Sequence, residues 1–168
     1  MAVDVRGTRG IAAFSEDRRY RYTLFRTWDE AGPQIAWVQL NPSTADADQD
    51  DPTIRRDIAF SKAWGYGSLV ILNLFGLRAT DPRALYDSED PIGPENDAFL
   101  RLVRATNVPV VCAWGVHGAY MDRGAAVAKL LSAGGVDLRC LGLTQAGHPK
   151  HPLYLASATP LERFEVAA

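Results

Sequence analysis

The chain has no apolar run near the ~18 residues that a membrane-spanning helix needs, and its first twenty residues carry Arg6, Arg9, Glu16 and Asp17 with no long apolar core. On that pattern neither a membrane helix nor a secretory leader is expected, and the protein is expected to be soluble and cytoplasmic. Cysteine is scarce. Cys112 and Cys140 both lie inside apolar runs, so they are expected as buried free thiols and not as a disulfide framework. An excess of positive charge is lacking too: 18 basic residues stand against 20 acidic ones, for a net charge of −2. That excludes a generally basic surface of the kind that holds duplex DNA through many phosphates, while leaving room for a local basic face. There is no glycine-rich phosphate loop ending in Lys-Ser/Thr, which argues against P-loop phosphoryl transfer. There is also no Pro/Gly/Ser-rich linker, repeat or low-complexity segment, and 47% hydrophobic composition is enough for one well-buried core, so residues 1–168 are read as a single domain.

What is present centres on Gln34 to Asp46. Ile35 to Leu40 is an almost unbroken apolar run that stops at Asn41-Pro42-Ser43-Thr44. It reads as a strand covered on both faces, ended by a proline that cannot donate to a sheet ladder and that holds Asn41 extended. The same event recurs three times. Leu69 to Leu72 runs into Asn73-Leu74-Phe75, Val108 to Ala113 into Trp114-Gly115-Val116-His117, and Leu138 to Leu143 into Thr144 and then His148-Pro149-Lys150-His151-Pro152. In an open parallel sheet the carboxyl edge is where ligands bind, and this polarity exceeds what loops need.

Around these strands, Ile11 to Phe14 and Tyr20 to Trp28 predict an antiparallel hairpin within an N-terminal extension over residues 1–30. Asp51-Pro52 predicts a helix start with Ile54, Ile58 and Ala59 on one face, stopped by Gly65 and Gly67. Gly93-Pro94 precedes a second helix with Phe99, Leu102 and Val103 inward, and Tyr120 to Leu131 predicts a third. The polar stretch Arg78 to Pro94 reads as a functional loop with room for one helical turn near Pro82 to Tyr86. Alternating strands and helices over 35–155 give the expected fold class: an α/β, three-layer αβα core with a four-stranded parallel central sheet, plus the N-terminal β-hairpin.

Two resemblances follow from these residues. The segments LNPSTAD, DPTIRR, NLFGLRATDP, Asn96-Asp97, AWG and GHPKHPLYL together resemble, over nearly the whole chain, a bacterial and phage family known only as a domain of unknown function. More remotely, the strand-end motifs between Ile35 and Leu155 resemble the uracil-DNA glycosylase superfamily. Asn41-Pro42 matches its first motif, Asn73 its base-reading Asn, Trp114-Gly115 with His117 its Trp-Gly-His element, and His151-Pro152 its final His-Pro. The chain departs from that pattern at Ser43, at Leu153-Tyr154, and in lacking the cysteines of the iron–sulfur subgroups. The resemblance implies a uracil-DNA-glycosylase-like fold, cleavage of a base from nucleic acid or a nucleotide, and a setting of DNA repair or phage-related base modification.

Breaking an N-glycosidic bond needs a group that orients water below the sugar and donors that stabilise the departing base. Asn41 and Asp46 are candidates for the water and His151 for the base oxygen, making these three the expected catalytic residues. Asn73 offers both donor and acceptor to a base edge, and Phe75 and Trp114 offer faces for stacking. Pro42, Ser43 and His117 complete the expected substrate contacts, with Arg55, Arg56, Arg78, Arg123 and Lys150 as cations for phosphates. No cofactor is expected. Asp46, Asp48 and Asp50 have calcium-loop spacing with Asp57 at the twelfth position, but Asp51 replaces the required glycine and Pro52 interrupts the loop, so no metal is expected. The expected function is an N-glycosidase acting on a nucleobase, and the alternative is a catalytically silent binder of nucleotides or nucleic acid at the same cleft. In either case the partner is a nucleic acid or nucleotide with a weak electrostatic footprint.

Overall fold

The computed structural model describes residues 2–3 and 9–167. Met1, residues 4–8 (with Arg6 of the N-terminal extension) and Ala168 lie outside the described residues. In chain order the elements are β1 (Ala2–Val3), β2 (Arg9–Phe14), β3 (Arg21–Thr27), β4 (Gln34–Gln39), α1 (Pro52–Ala63), β5 (Ser68–Asn73), α2 (Ala84–Asp87), α3 (Asn96–Thr106), β6 (Val110–Cys112), a 3₁₀ segment (Val116–Asp122), α4 (Arg123–Ser132), β7 (Leu138–Cys140) and β8 (Glu162–Arg163).

The eight strands of the described residues form one sheet in the order β1-β2-β3-β5-β4-β6-β7-β8. The steps β5–β4, β4–β6 and β6–β7 are parallel. The other four pairings are antiparallel. This corrects the expected architecture: the sheet is mixed and mostly antiparallel in its pairings, not a four-stranded parallel sheet with a separate hairpin. The reason lies in β3, which pairs with β5 from Leu24↔Ile71 to Thr27↔Ser68. Its alternation of apolar residues with Arg21, Thr23 and Arg26 suggests a half-exposed edge ribbon, yet all three polar residues are buried. The loop after β4 folds across them: Arg21 Nη1 donates to the Ala45 carbonyl at 2.7 Å, and Arg26 Nε donates to Asp50 Oδ1 at 2.8 Å. Hydrogen-bonded burial of these cations lets β3 sit inside the sheet. At the far edge, β8 pairs with β7 and extends the sheet beyond the expected core limit at residue 155.

Strand periodicity divides the core between two faces. Ala36 and Val38 of β4 pack with Val70, Leu72, Leu100 and Leu131 on the side of α3 and α4. Ile35 and Trp37 pack with Leu69, Ile71, Ile54 and Phe60 on the side of α1. Trp37 stacks on Trp64 with centroids 5.7 Å apart and donates its indole N–H to Ser61 Oγ at 3.0 Å, so its one polar atom is satisfied. Asp51 caps α1 by accepting from the Ile54 N–H at 2.9 Å, with Pro52 in the first turn.

Two helix expectations shift in register. In α3 the buried positions are Asn96, Leu100 and Val103, a four-then-three spacing, and Leu102 is 62% exposed. The helix expected from Tyr120 starts instead at Arg123, because Met121 and Asp122 adopt left-handed φ of 55° and 51°. Among the described residues no helix is long and apolar enough to cross a membrane.

Candidate functional site

The carboxyl ends of the parallel strands β4 and β6, the start of α1, the loop after β5 and the segment after β7 enclose a cavity of about 390 Å³. From β4 and its exit come Gln39, Leu40, Asn41 and Ser43; from the α1 start, Asp51, Thr53 and Ile54; from the β6 exit, Trp114 to His117. Ala79, Thr80 and Pro82 form one wall, and His151 and Arg21 complete the lining.

Asn41 is held by its amide nitrogen, which donates to the carbonyls of Ala79 at 2.9 Å and Pro42 at 3.1 Å. That use of Nδ2 pins the loop after β5 to the end of β4 and leaves Oδ1 as the acceptor. Pro42 is buried behind it and its carbonyl also accepts from the Ala79 N–H at 2.9 Å. Trp114 is almost fully buried, its ring edge-on to Phe164 at 5.9 Å. His117 Nδ1 lies 3.0 Å from the Tyr86 hydroxyl. His151 Nδ1 accepts from the Leu153 N–H at 3.3 Å, which puts the hydrogen of the neutral ring on Nε2. Desolvation lowers the His151 pKa below the ordinary histidine value, against the opposing pull of Asp51, so the ring is neutral at pH 7.

Of the expected site residues, Asn41, Ser43, Trp114, His117 and His151 share this cavity; the others lie outside its lining. Asp46 is absorbed in a turn, its Oδ1 accepting from the N–H groups of Asp48 and Gln49 at 2.9 Å, and the Asp48 contact leads in lowering its pKa. Asn73 is fully buried and neither atom of its side-chain amide has a partner among the described residues. Phe75 is core, 5.7 Å from the Tyr120 ring. The cations are drawn to backbone carbonyls instead of the cavity. Arg55 donates to Asp50 O at 2.7 Å, Arg78 to Arg18 O at 3.2 Å, and Arg56 to Leu155 O. Arg123 is buried on Leu74 O at 2.8 Å and paired with Asp97, while Lys150 is exposed.

Three polar residues in or next to the cavity lining are not among the expected site residues. Gln39 closes β4 and donates to Asp57 Oδ2 at 2.6 Å. Asp57 is fully buried in α1, and desolvation raises its pKa well above the ordinary carboxylate value. Arg21 is 1% exposed, and burial pushes its pKa down to about 10, leaving it charged. Gln39 inside an apolar strand run and Asp57 on the Ile54–Phe60 stripe are the sequence signals that mark such residues. Arg21 has none, since its alternation matches a solvent-facing position. Among the described residues no group of three or more His, Cys, Asp or Glu is arranged to hold a metal.

No curated protein matches the sequence. The model of the family described as "Protein of unknown function (DUF1643)" matches residues 21–153, a span that encloses every residue lining the cavity, and the chain belongs to that family.

Proposed function

We propose that the cavity hydrolyses the N-glycosidic bond of a small nucleobase-bearing substrate, a nucleoside, a nucleotide or an unpaired nucleotide unit. The observation that carries the reading is the meeting of an acceptor group, Asn41 Oδ1 with the Asp51 carboxylate, and a neutral imidazole donor, His151 Nε2–H, on the lining of one cavity. In the reaction a water oxygen bonds to the anomeric carbon while the C–N bond breaks and its electron pair leaves with the base. Asn41 orients that water and Asp51 accepts its proton, taking the part expected of Asp46. His151 donates to the base oxygen on which negative charge builds, and the released base takes up a proton from solvent. Trp114 and Leu40 supply apolar surface beside the ring.

The size of the substrate follows from the cations. With Arg55, Arg56, Arg78, Arg123 and Lys150 outside the lining, the site offers few phosphate contacts, which favours a small ligand over a duplex. The test is incubation with a panel of nucleosides, nucleoside monophosphates and single- and double-stranded oligonucleotides bearing ordinary and modified bases, with free base separated by chromatography. Base release from a mononucleoside or single strand is expected and is lost in His151→Ala. Saturable binding with no released base would replace the reading with that of a silent binder.

A further inference from the structure

We infer that Arg21 is an oxyanion-binding residue, so that the ligand of the cavity carries a phosphate or carboxylate group close to the end of β4. The guanidinium is 1% exposed, yet Arg21 lines the 390 Å³ cavity. Among the described residues the one hydrogen bond of the guanidinium runs from Nη1 to the Ala45 carbonyl at 2.7 Å, and Nε, fully buried, has no partner. No carboxylate among the described residues lies within the 4.0 Å of an ion pair with it. The two carboxylates whose charges favour the cationic form of Arg21, Asp51 and Asp46, are otherwise engaged. One oxygen of Asp51 is taken up in capping α1, and Oδ1 of Asp46 accepts from the N–H groups of Asp48 and Gln49. A buried, charged, under-bonded fork is costly unless something supplies the missing acceptors.

Guanidinium geometry matches two oxygens of a phosphate or carboxylate, and Ser43 and Thr53, which line the same cavity, carry hydroxyl donors. Arg26, the other buried cation of β3, makes the contrast: it has Asp50 as a direct ion-pair partner and lies outside the cavity lining. The charge of Arg21 is therefore the one on β3 left for a ligand to neutralise. This names a substrate class for the proposed hydrolysis, a phosphorylated nucleoside ahead of a free one, and rests on that reading only for the base.

The test uses ligands that carry no base. Inorganic phosphate, ribose 5-phosphate, ribose and acetate are titrated into the full chain, followed by ³¹P line broadening and by calorimetry. Saturable binding of phosphate and ribose 5-phosphate is expected, with ribose at least tenfold weaker. Acetate binding as tightly as phosphate assigns the site to carboxylates, and acetate failing assigns it to phosphates. Arg21→Gln, with folding checked by circular dichroism, is expected to weaken the binding at least tenfold. Because that buried variant can fail to fold, Asp51→Asn provides a second measurement. Asparagine keeps the helix cap while removing the opposing charge, so phosphate is expected to bind severalfold tighter. No phosphate binding by the natural chain, undiminished binding in folded Arg21→Gln, or unchanged affinity in Asp51→Asn each overturns the inference. Ribose 5-phosphate binding with no base released from any nucleotide leaves this site standing and removes the glycosidase reading.

Discussion

Gln39 and Asp57 meet at 2.6 Å, the last residue of a central strand donating its amide N–H to a carboxyl buried in the helix above it. The contact ties β4 to α1 directly beneath the cavity. It also places a buried carboxyl, whose Oδ1 has no partner among the described residues, next to a residue of the cavity lining.

Asp57 makes stability depend on pH in a defined direction. Its folded pKa lies well above the ordinary value of 3.8, so the folded chain holds this proton over a range in which the unfolded chain has lost it. Stability from this group is full below pH ~4 and declines as pH rises toward the folded pKa. Asp57→Asn keeps an acceptor for Gln39 and removes the titration. Thermal melts are expected to show the variant more stable at pH 8 by ~1 kcal/mol or more, equivalent to ~2–4 °C, with the gain vanishing near pH 4.

Asn41→Ala is expected to reduce stability as well as ligand binding. The amide nitrogen joins the end of β4 to the carbonyls of Ala79 and Pro42, and its removal takes from the Ala79 carbonyl its side-chain donor, while the Pro42 carbonyl keeps the Ala79 N–H. A loss of ~1–3 kcal/mol in denaturant melts is the expected size. An unchanged midpoint would show that water replaces the amide at no cost.

His151→Ala separates site from scaffold. The residue keeps solvent exposure at the cavity mouth, and among the described residues its one side-chain hydrogen bond is accepted from the Leu153 N–H at 3.3 Å. Stability is expected to stay within ~0.5 kcal/mol. Turnover is expected to fall ~10²–10³-fold, the usual effect of losing one donor to a developing negative charge. Equal turnover in the variant would remove His151 from the reaction.

Salt dependence tests the count of cations at the cavity. With Arg21 as the charged donor, affinity for a nucleotide or single strand is expected to fall with a log–log slope near −0.7 to −0.9, the value for one phosphate contact. Matched duplex, single-strand and mononucleotide titrations from low to physiological salt measure it. A slope several times steeper would mean that a basic face outside the cavity engages the backbone.

Sequence alone determined where the parallel strands β4, β5, β6 and β7 lie, since runs covered on both faces must be continuous and apolar, and proline or glycine has to end them. It also determined the Asp51 cap and the polar residues at the strand ends, of which Asn41, Ser43, Trp114, His117 and His151 line one cavity. Tertiary structure decided the rest. The place of β3 beside β5 is a pairing of segments more than 40 residues apart, and local alternation cannot distinguish an edge ribbon from an inner strand whose arginines are buried under a distant loop. Asn73 and Phe75 share the strand-end signature of Asn41 and are nevertheless buried, because the exit of β5 is held against β4, Leu74 and Phe75 donating their N–H groups to the Gln39 and Leu40 carbonyls, and Asn96 of α3 caps the Asn73 and Leu74 carbonyls. Arg21, Gln39 and Asp57 came together because one strand, the end of the strand two places away in the sheet and a helix face converge in space. The polarity of each is visible in the chain, but the burial that shifts the pKa values of Arg21 and Asp57 is supplied only by folding.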